Sequence, residues 1–165
     1  MRDRRRKFIA FPGMSPVAAL CLGALLLSPA GCSGSGEEAP ARPPRAKPPA
    51  CVIDIDKTIT DPAFRRKMAK KVPMANAPAV LSRVASRGIA VFYLSRRPVG
   101  RLEATKWWLA QHGFPPGAGL YLCDRNEDRV PFKIRIIQEL QENYTFLFGV
   151  GDQPTDAESY GICGI

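Results

Sequence analysis

The sequence has very little histidine and no closely paired cysteines. The single histidine, His112, falls at the predicted end of a helix, where a histidine more often serves as a cap or terminal charge than as a base. A Ser-His-Asp or Cys-His mechanism would have to depend on this one residue. The five cysteines (positions 21, 32, 51, 123 and 163) form no CxxC motif and no regular spacing, which argues against a zinc site. The chemistry of this chain is therefore expected to rest on other side chains.

Signatures of nucleic-acid binding are also missing. The formal net charge is +9, but residues 1–50 carry eight Lys/Arg against three Asp/Glu, which leaves +4 for residues 51–165. No RNP, zinc-finger or homeodomain motif accompanies this mild excess. We expect no nucleic-acid partner, and an anionic small molecule or an anionic lipid agrees with the same charge.

The N-terminal region has the pattern of an export signal. Its apolar run of eleven residues, Val17 to Leu27, is too short to span a bilayer and is typical of the core of a signal peptide. Basic residues dominate positions 2–7, and small residues lead to Cys32. This arrangement resembles the lipobox of bacterial lipoproteins, which implies a signal peptide at 1–31 and a lipid anchor at Cys32 on the periplasmic side of a bacterial membrane. Ordinary cleavage with secretion to the periplasm or beyond, and retention as an uncleaved N-terminal anchor, are alternatives.

The rest of the chain divides into a tether and one folded domain. Residues 32–49 are rich in Ser and Gly and then in Pro, Ala and Arg, so they cannot bury a core and are predicted to be disordered. Residues 50–165 are close to the commonest domain size. Their predicted strands are 50–55, 89–94, 119–122 and 146–150, and their predicted helices are 76–86, 99–111, 131–143 and 155–160. Apolar strands that alternate with helices predict a Rossmann-like, three-layer α/β/α domain with a mainly parallel sheet of four or five strands.

Polar residues follow three of these strands at the point where each strand ends. Asp54 and Asp56 follow the first strand, and Ser95 follows the second. Asp152 and Asp156 follow the fourth. The carboxyl ends of parallel strands meet at one edge of a sheet, so these side chains are expected to converge there. Two carboxylates on one face of a strand favour a bound cation, a shared proton, or both.

A lysine completes the pattern. Lys133 is predicted in the first turn of a helix, where the macrodipole disfavours a cation, which indicates a role other than helix stabilisation. The order Asp-x-Asp-x-Thr, Ser, Lys and Asp-x-x-x-Asp resembles the four motifs of the haloacid dehalogenase (HAD) superfamily of phosphohydrolases. The resemblance implies that Asp54 is the nucleophile that forms an aspartyl phosphate. It also implies that Asp56 is the general acid and then the base, and that Lys133 offsets the negative charge.

The resemblance further implies how the phosphoryl group is bound. Ser95, with Arg96 beside it, would bind phosphoryl oxygens. Thr58 would contribute to the same site and orient Asp56.

A magnesium ion is the cofactor that the resemblance implies. It would bind to Asp54, to the backbone carbonyl of Asp56 and to a carboxylate of the fourth motif. Asp152 and Asp156 are the two acids available there. We favour Asp152 as the ligand, with Asp156 holding Lys133 or a water on the metal.

Within the superfamily, the motifs are most similar to the lipin-like (LNS2) group. The similarity lies in residues 54–60 (DIDKTIT), 93–98 (YLSRRP) and 151–156 (GDQPTD). Lys57 departs from it, because that group usually has glycine there. Too few residues separate the first two strands for a sizeable cap domain, so the site should be open to bulky substrates. Members of the group usually continue into another strand after the position of Ile165, so we expect either a four-stranded sheet in the order 4-1-2-3 or a domain that is truncated there.

These features lead to one main hypothesis and two alternatives. The main hypothesis is a Mg²⁺-dependent phosphomonoesterase that acts on phosphatidate-like lipid or another bulky phosphate. The first alternative is a module that binds phosphate or phosphatidate without turnover, which Lys57 beside the nucleophile would favour. The second is a phosphatase of soluble metabolites or nucleotides.

Overall fold

The computed structural model describes residues 46–62, 71–123 and 127–165. The predicted signal peptide at 1–31, the lipidation site Cys32 and most of the predicted tether lie outside these residues, and export and anchoring stay predictions. At the end of the tether, Lys47 Nζ donates to the Gln141 carbonyl (2.7 Å), and the Thr145 N–H donates to the Pro48 carbonyl (3.0 Å). Residues 47 and 48 therefore already contact the folded domain.

The four predicted strands form one parallel sheet. They are β1 (Pro49–Ile53), β2 (Ala90–Pro98), β3 (Gly119–Cys123) and β4 (Thr145–Val150). The strand order is β3-β2-β1-β4, and all three neighbouring pairs are parallel, which confirms the predicted sheet and its order. The strand β1 lies between two others because its apolar residues from Ala50 to Ile53 can be buried on both faces.

In the described part of the chain, four α-helices connect and cover the strands. They are α1 (Ala77–Ser86), α2 (Leu102–Gln111, after a 3₁₀ turn at Val99–Arg101), α3 (Arg129–Gln141) and α4 (Pro154–Ile162). The helix α1 is followed by Gly88, which adopts φ +79° and donates its N–H to the Ala85 carbonyl (3.0 Å). Only a residue that tolerates this left-handed conformation can end the helix in this way.

The helices lie on both faces of the sheet, as the predicted three-layer architecture requires. Ile53 of β1 packs with α1 and α2 on one face, and its neighbour Val52 packs with α3 and α4 on the other. Burying a side chain of this size stabilises the fold by about 1.5–3 kcal/mol. The helix side chains in the two clusters are Leu81, Trp108 and Leu109 on the first face and Phe132, Ile136, Ile137 and Tyr160 on the second.

Two local predictions need correction. The second strand does not end at Ser95 but continues to Pro98, with a shift of register against β3 between these two residues. The third helix begins at Arg129 and not at 131, so Lys133 lies in its second turn, beyond the end where the macrodipole acts most strongly. The position of Lys133 therefore has to be explained by its contacts.

The region between β1 and α1 contains no separate cap domain in its described parts, 54–62 and 71–76. There the chain forms a turn and one antiparallel bridge between Thr60 and Pro73. The strand β4 lies at one edge of the described sheet, and its Leu147 and Val150 are exposed. Cys51, Cys123 and Cys163 are buried. No described helix combines the length and the apolar character needed to cross a membrane.

Candidate active site

A cavity of about 370 Å³ opens where β1, β2 and β4 end. Seven of the eight residues predicted to act in catalysis or to bind phosphate or metal line it, and Thr58 is the exception. Its walls therefore carry both carboxylates and cations. The lining residues are Asp54, Asp56, Lys57, Ser95, Arg96, Arg97, Lys133, Asp152, Gln153, Thr155 and Asp156.

A buried ion triad lies at one side of this cavity. Lys133 Nζ donates to Asp54 Oδ1 (2.9 Å) and to Asp156 Oδ1 (2.6 Å), and all three residues are less than 10% exposed. Lys133 comes from α3, whereas Asp54 directly follows β1, where its N–H donates to the Val150 carbonyl (2.9 Å). Charges this deeply buried need close partners, so the triad fixes the positions of both carboxylates.

The carboxyl group of Asp54 has an unusual pKa. Burial raises this pKa from 3.8 to about 6, although the ammonium of Lys133 acts in the opposite direction. The group is thus ionised near neutral pH, with the ammonium of Lys133 as its close partner, and an ionised carboxylate can act as a nucleophile.

Asp156 has a second contact that explains why it is so well fixed. Its Oδ2 accepts the N–H of Gln153 (3.1 Å) at the beginning of α4, where a negative charge is favourable. Asp152, on the loop before this helix, is more exposed and accepts a hydrogen bond from the Gln153 side chain. Of the two acids in this motif, Asp152 therefore has more freedom to bind a ligand.

Gly151 leaves the space that Asp156 occupies. A Cβ at position 151 would lie 2.3 Å from Asp156 Oδ2, which no real packing allows. We expect Gly151→Ala to lower the free energy of unfolding in urea by about 1–3 kcal/mol, since it displaces a buried charged side chain. The matched control is Gly100→Ala, where a Cβ meets nothing within 4 Å and the change should stay within about 0.5 kcal/mol. Equal stabilities of the two variants would contradict this interpretation.

Asp56 is held by two cations. Arg97 Nε donates to Asp56 Oδ2 (2.7 Å) and Arg97 Nη2 to Oδ1 (2.9 Å), and Lys71 Nζ also donates to Oδ1. Burial alone would raise the pKa of Asp56, but these charge-assisted bonds outweigh it and lower that pKa from 3.8 to about 2. Asp56 is therefore a fixed carboxylate at neutral pH.

The orientation of Asp56 differs from the predicted one. We expected Thr58 to orient this residue, but the Thr58 hydroxyl lies 3.5 Å from Asp54 Oδ2, at the limit of a hydrogen bond. Arg97 and Lys71 hold Asp56 instead.

Sequence reasoning did not predict that Arg97 and Lys71 hold Asp56. A signal existed for Arg97, because it lies two residues after Ser95 on an extended strand, and side chains at this spacing share a face. For Lys71 no such signal exists, because it lies 15 positions after Asp56 in the sequence.

Ser95 and Arg96 border the cavity in different ways. Ser95 is 1% exposed, and its hydroxyl accepts the N–H of Arg97 (3.4 Å). Arg96 is exposed and reaches the cavity from its rim. The geometry thus provides a buried hydroxyl and an exposed cation for an anionic ligand.

Lys57 lies in a strained part of the backbone. Its φ is +64°, a conformation that residues other than glycine rarely adopt, and its N–H donates to Thr60 Oγ1 (2.9 Å). Its side chain is half exposed, and Nζ lies 4.0 Å from Asp152 Oδ2. The turn here has the form that glycine favours, and lysine adds a cation at the cavity.

The carboxylates meet the requirements of a small divalent cation. Asp54, Asp152 and Asp156 each offer one oxygen, and these oxygens lie within 4.8 Å of one another. Carboxylate oxygens without histidine or cysteine are the donor set that Mg²⁺ prefers. The residues present therefore fit this ion.

Comparison with known proteins places the site in a family. Residues 51–165 match the family described as PITM 1-3, LNS2 domain. The chain is also 31% identical to a candidate nucleotidase from Bacillus cereus over 74 residues. These aligned residues cover 45% of this chain and 38% of that protein.

Solved structures, two of them of phosphatases, share the fold. A class C acid phosphatase from Bacillus anthracis with tungstate bound has a TM-score of 0.59 and 23% identity, over 68% of this chain and 55% of that one. A chain of the Pnkp1/Rnl/Hen1 complex has a TM-score of 0.61 and 22% identity, over 70% of this chain and 42% of that one. D,D-heptose 1,7-bisphosphate phosphatase from B. bronchiseptica, complexed with magnesium and phosphate, has a TM-score of 0.50 and 14% identity, over 68% and 75%.

The match to the family and the shared fold agree with the motifs at the strand ends. The chain spans only about half the length of the acid phosphatase and less of the candidate nucleotidase. By the family match over residues 51–165, the chain belongs to the LNS2 family, the lipin-like group of HAD-type domains that its motifs resemble.

Proposed function

We propose that the protein hydrolyses phosphomonoesters through a covalent intermediate on Asp54. The observation that carries the proposal is the ion triad, in which Lys133 holds Asp54 and Asp156 at the cavity with Asp152 close by. A buried carboxylate with a pKa of about 6, fixed by a lysine and facing a cavity, suits nucleophilic attack on phosphorus.

The first step forms a bond between an oxygen of Asp54 and phosphorus and breaks the bond to the leaving oxygen. In the second step, water attacks phosphorus, the bond to Asp54 breaks, and inorganic phosphate leaves. Asp56, which Arg97 and Lys71 hold ionised, is placed to accept the proton of that water. An aryl leaving group departs in the first step as a phenolate. An alkyl oxygen takes its proton from solvent water, because Asp56 is ionised at neutral pH and does not carry the proton that the resemblance assigned to it.

The charges of the substrate need neutralisation. Lys133 from one side, and Arg96 from the rim, would bind phosphoryl oxygens, and the Ser95 hydroxyl would orient them. Asp54, Asp152 and the Asp56 carbonyl would hold Mg²⁺, which supplies further positive charge between the carboxylates and the phosphoryl group.

The comparisons support the reaction class more than the substrate. The names of the similar proteins include an acid phosphatase, a nucleotidase and a sugar bisphosphate phosphatase. Family membership adds phosphatidate-like lipid as a candidate, and the absence of a separate cap domain in the described residues leaves room for a bulky headgroup.

The test is phosphate release from p-nitrophenyl phosphate by the purified protein with Mg²⁺. We expect turnover that stops with EDTA and returns with added Mg²⁺, because the clustered carboxylates repel a phosphate without the ion. Parallel assays with a nucleoside monophosphate and with phosphatidate in neutral-lipid vesicles would separate soluble from lipid substrates. No release of phosphate from any of the three substrates would refute the proposal.

A second candidate is a module that binds phosphate without turnover. The ammonium of Lys57 beside Asp152 favours it, since this cation competes with a metal ion for the carboxylate. Under this alternative, vesicles with phosphatidate would bind the protein, no phosphate would be released, and Lys57→Gly would create turnover. Turnover by the parent protein would exclude the alternative.

A further inference from the structure

Helix α2 lies behind the residues that hold Asp56. Thr105 and Trp108 are both fully buried, and their spacing of three places them on the same face of the helix. The Trp108 indole N–H donates to the Lys71 carbonyl (2.9 Å). The Thr105 hydroxyl accepts a hydrogen bond from Arg97 Nη1 (3.4 Å). One helix face thus contacts both residues whose side chains bind Asp56.

Trp108 is a rigid support. Its ring stacks on Phe114, with 5.3 Å between the ring centroids, and contacts His112 at 4.9 Å. A buried indole N–H needs a hydrogen-bond partner, and here the partner is the backbone of the loop that carries Lys71. Because tryptophan has few rotamers in a close-packed core, this bond fixes the loop where Lys71 reaches Asp56.

Thr105 has a corresponding role for Arg97. The guanidinium is only 9% exposed, and two of its nitrogens already bind Asp56. The third, Nη1, faces the Thr105 hydroxyl, so the plane of the guanidinium is fixed from behind as well as in front. Packing alone does not require a hydroxyl at position 105, because valine has nearly the same shape.

We propose that Thr105 and Trp108 are positioning residues that act through Arg97 and Lys71 to fix the carboxylate of Asp56. The proposal rests on the proposed function, in which Asp56 transfers a proton. Neither residue touches the substrate. Their loss should therefore reduce kcat, which depends on the placement of Asp56, and leave KM for the phosphate almost unchanged.

Kinetics with p-nitrophenyl phosphate and Mg²⁺ provide the first test. Thr105→Val and Trp108→Phe remove the polar contact and keep most of the packing, and we expect each to lower kcat by about 10-fold with KM within about 2-fold. Thr105→Ser, which keeps the hydroxyl, should restore most of kcat. The control is Trp107→Phe on the same helix, where the ring is 53% exposed. Values of kcat in Thr105→Val and Trp108→Phe equal to that control would overturn the inference while the proposed function stands.

A second test needs no turnover and separates the inference from the proposed function. A double-mutant cycle in urea unfolding combines Thr105→Val with Asp56→Asn, and a second cycle combines Trp108→Phe with Asp56→Asn. If α2 supports Asp56, each pair should be coupled by at least about 5-fold in the unfolding equilibrium constant. Additive effects in both cycles would overturn the inference. If the parent protein releases no phosphate, the proposed function fails and the cycles alone decide this inference.

Discussion

Asp54→Asn is expected to abolish turnover and at the same time to stabilise the metal-free protein. Asparagine keeps the size of the side chain but removes the nucleophile, so kcat should fall by a factor of at least about 10³. The gain in stability follows from burial, which raises the pKa of Asp54 to about 6 in the folded protein. At neutral pH the ionised carboxylate of Asp54 therefore destabilises the folded state.

The sign of this effect depends on pH. The pKa of Asp54 is about 6 in the folded protein and 3.8 in the unfolded chain. Its contribution to stability is therefore fully present below pH 3.8 and is lost as the pH rises through 6. The difference of about two units corresponds to a cost of about 3 kcal/mol at pH 8. Asp54→Asn removes this cost, so its advantage in free energy of unfolding should be largest at pH 8 and disappear near pH 4.

Urea unfolding in EDTA at pH 4 and pH 8 measures the stability effect, and phosphate release measures the loss of activity. The control is Glu103→Gln on the surface of α2, which should change the stability by less than about 0.5 kcal/mol at either pH. A destabilised Asp54→Asn protein at pH 8 would show that Lys133 holds the carboxylate more strongly than burial opposes it. Undiminished turnover would remove Asp54 as the nucleophile.

Lys133→Met should be among the most destabilising single changes in the domain. Lys133 is the cation between two buried carboxylates, those of Asp54 and Asp156, which are 7% and 4% exposed. Methionine fills the space but leaves both charges unpaired, at a cost of about 3–5 kcal/mol in free energy of unfolding. Addition of Mg²⁺ should recover part of this stability, because the ion neutralises the same oxygens. Turnover should be lost as well.

The measurement is urea unfolding of Lys133→Met with EDTA and with Mg²⁺. Lys106→Met is the matched control, because its ion pair with Glu103 lies on the surface and should contribute less than about 1 kcal/mol. The double variant Lys133→Met/Asp54→Asn should be less destabilised than Lys133→Met alone, since one of the unpaired charges is gone. A loss below about 1 kcal/mol in Lys133→Met would contradict the role of the triad.

The fold and most of the site could be predicted from local patterns. Apolar runs separated by helical periods predicted all four strands, and polar residues directly after three of them predicted where chemistry should lie. This placed Asp54 at the cavity because the carboxyl ends of parallel strands meet at one edge of the sheet, and Ser95 also lines the cavity although β2 continues to Pro98. The same local reasoning placed Lys133 in the wrong turn of its helix, because helix ends depend on capping contacts that a periodic pattern does not specify.

The sequence by itself determined the sheet, its order and the set of carboxylates at one edge, because backbone periodicity and burial constrain these features along the chain. Only the tertiary structure decided which charged side chains pair with one another at that edge of the sheet. Asp56 is hydrogen-bonded to Lys71, 15 positions away in the sequence, and to Arg97, 41 positions away. Asp54 is hydrogen-bonded to Lys133, 79 positions away. Such pairs depend on the distances between side chains of separate elements, which no local spacing encodes. For that reason Thr58 was expected to orient Asp56, whereas Arg97 and Lys71, with α2 behind them, hold it.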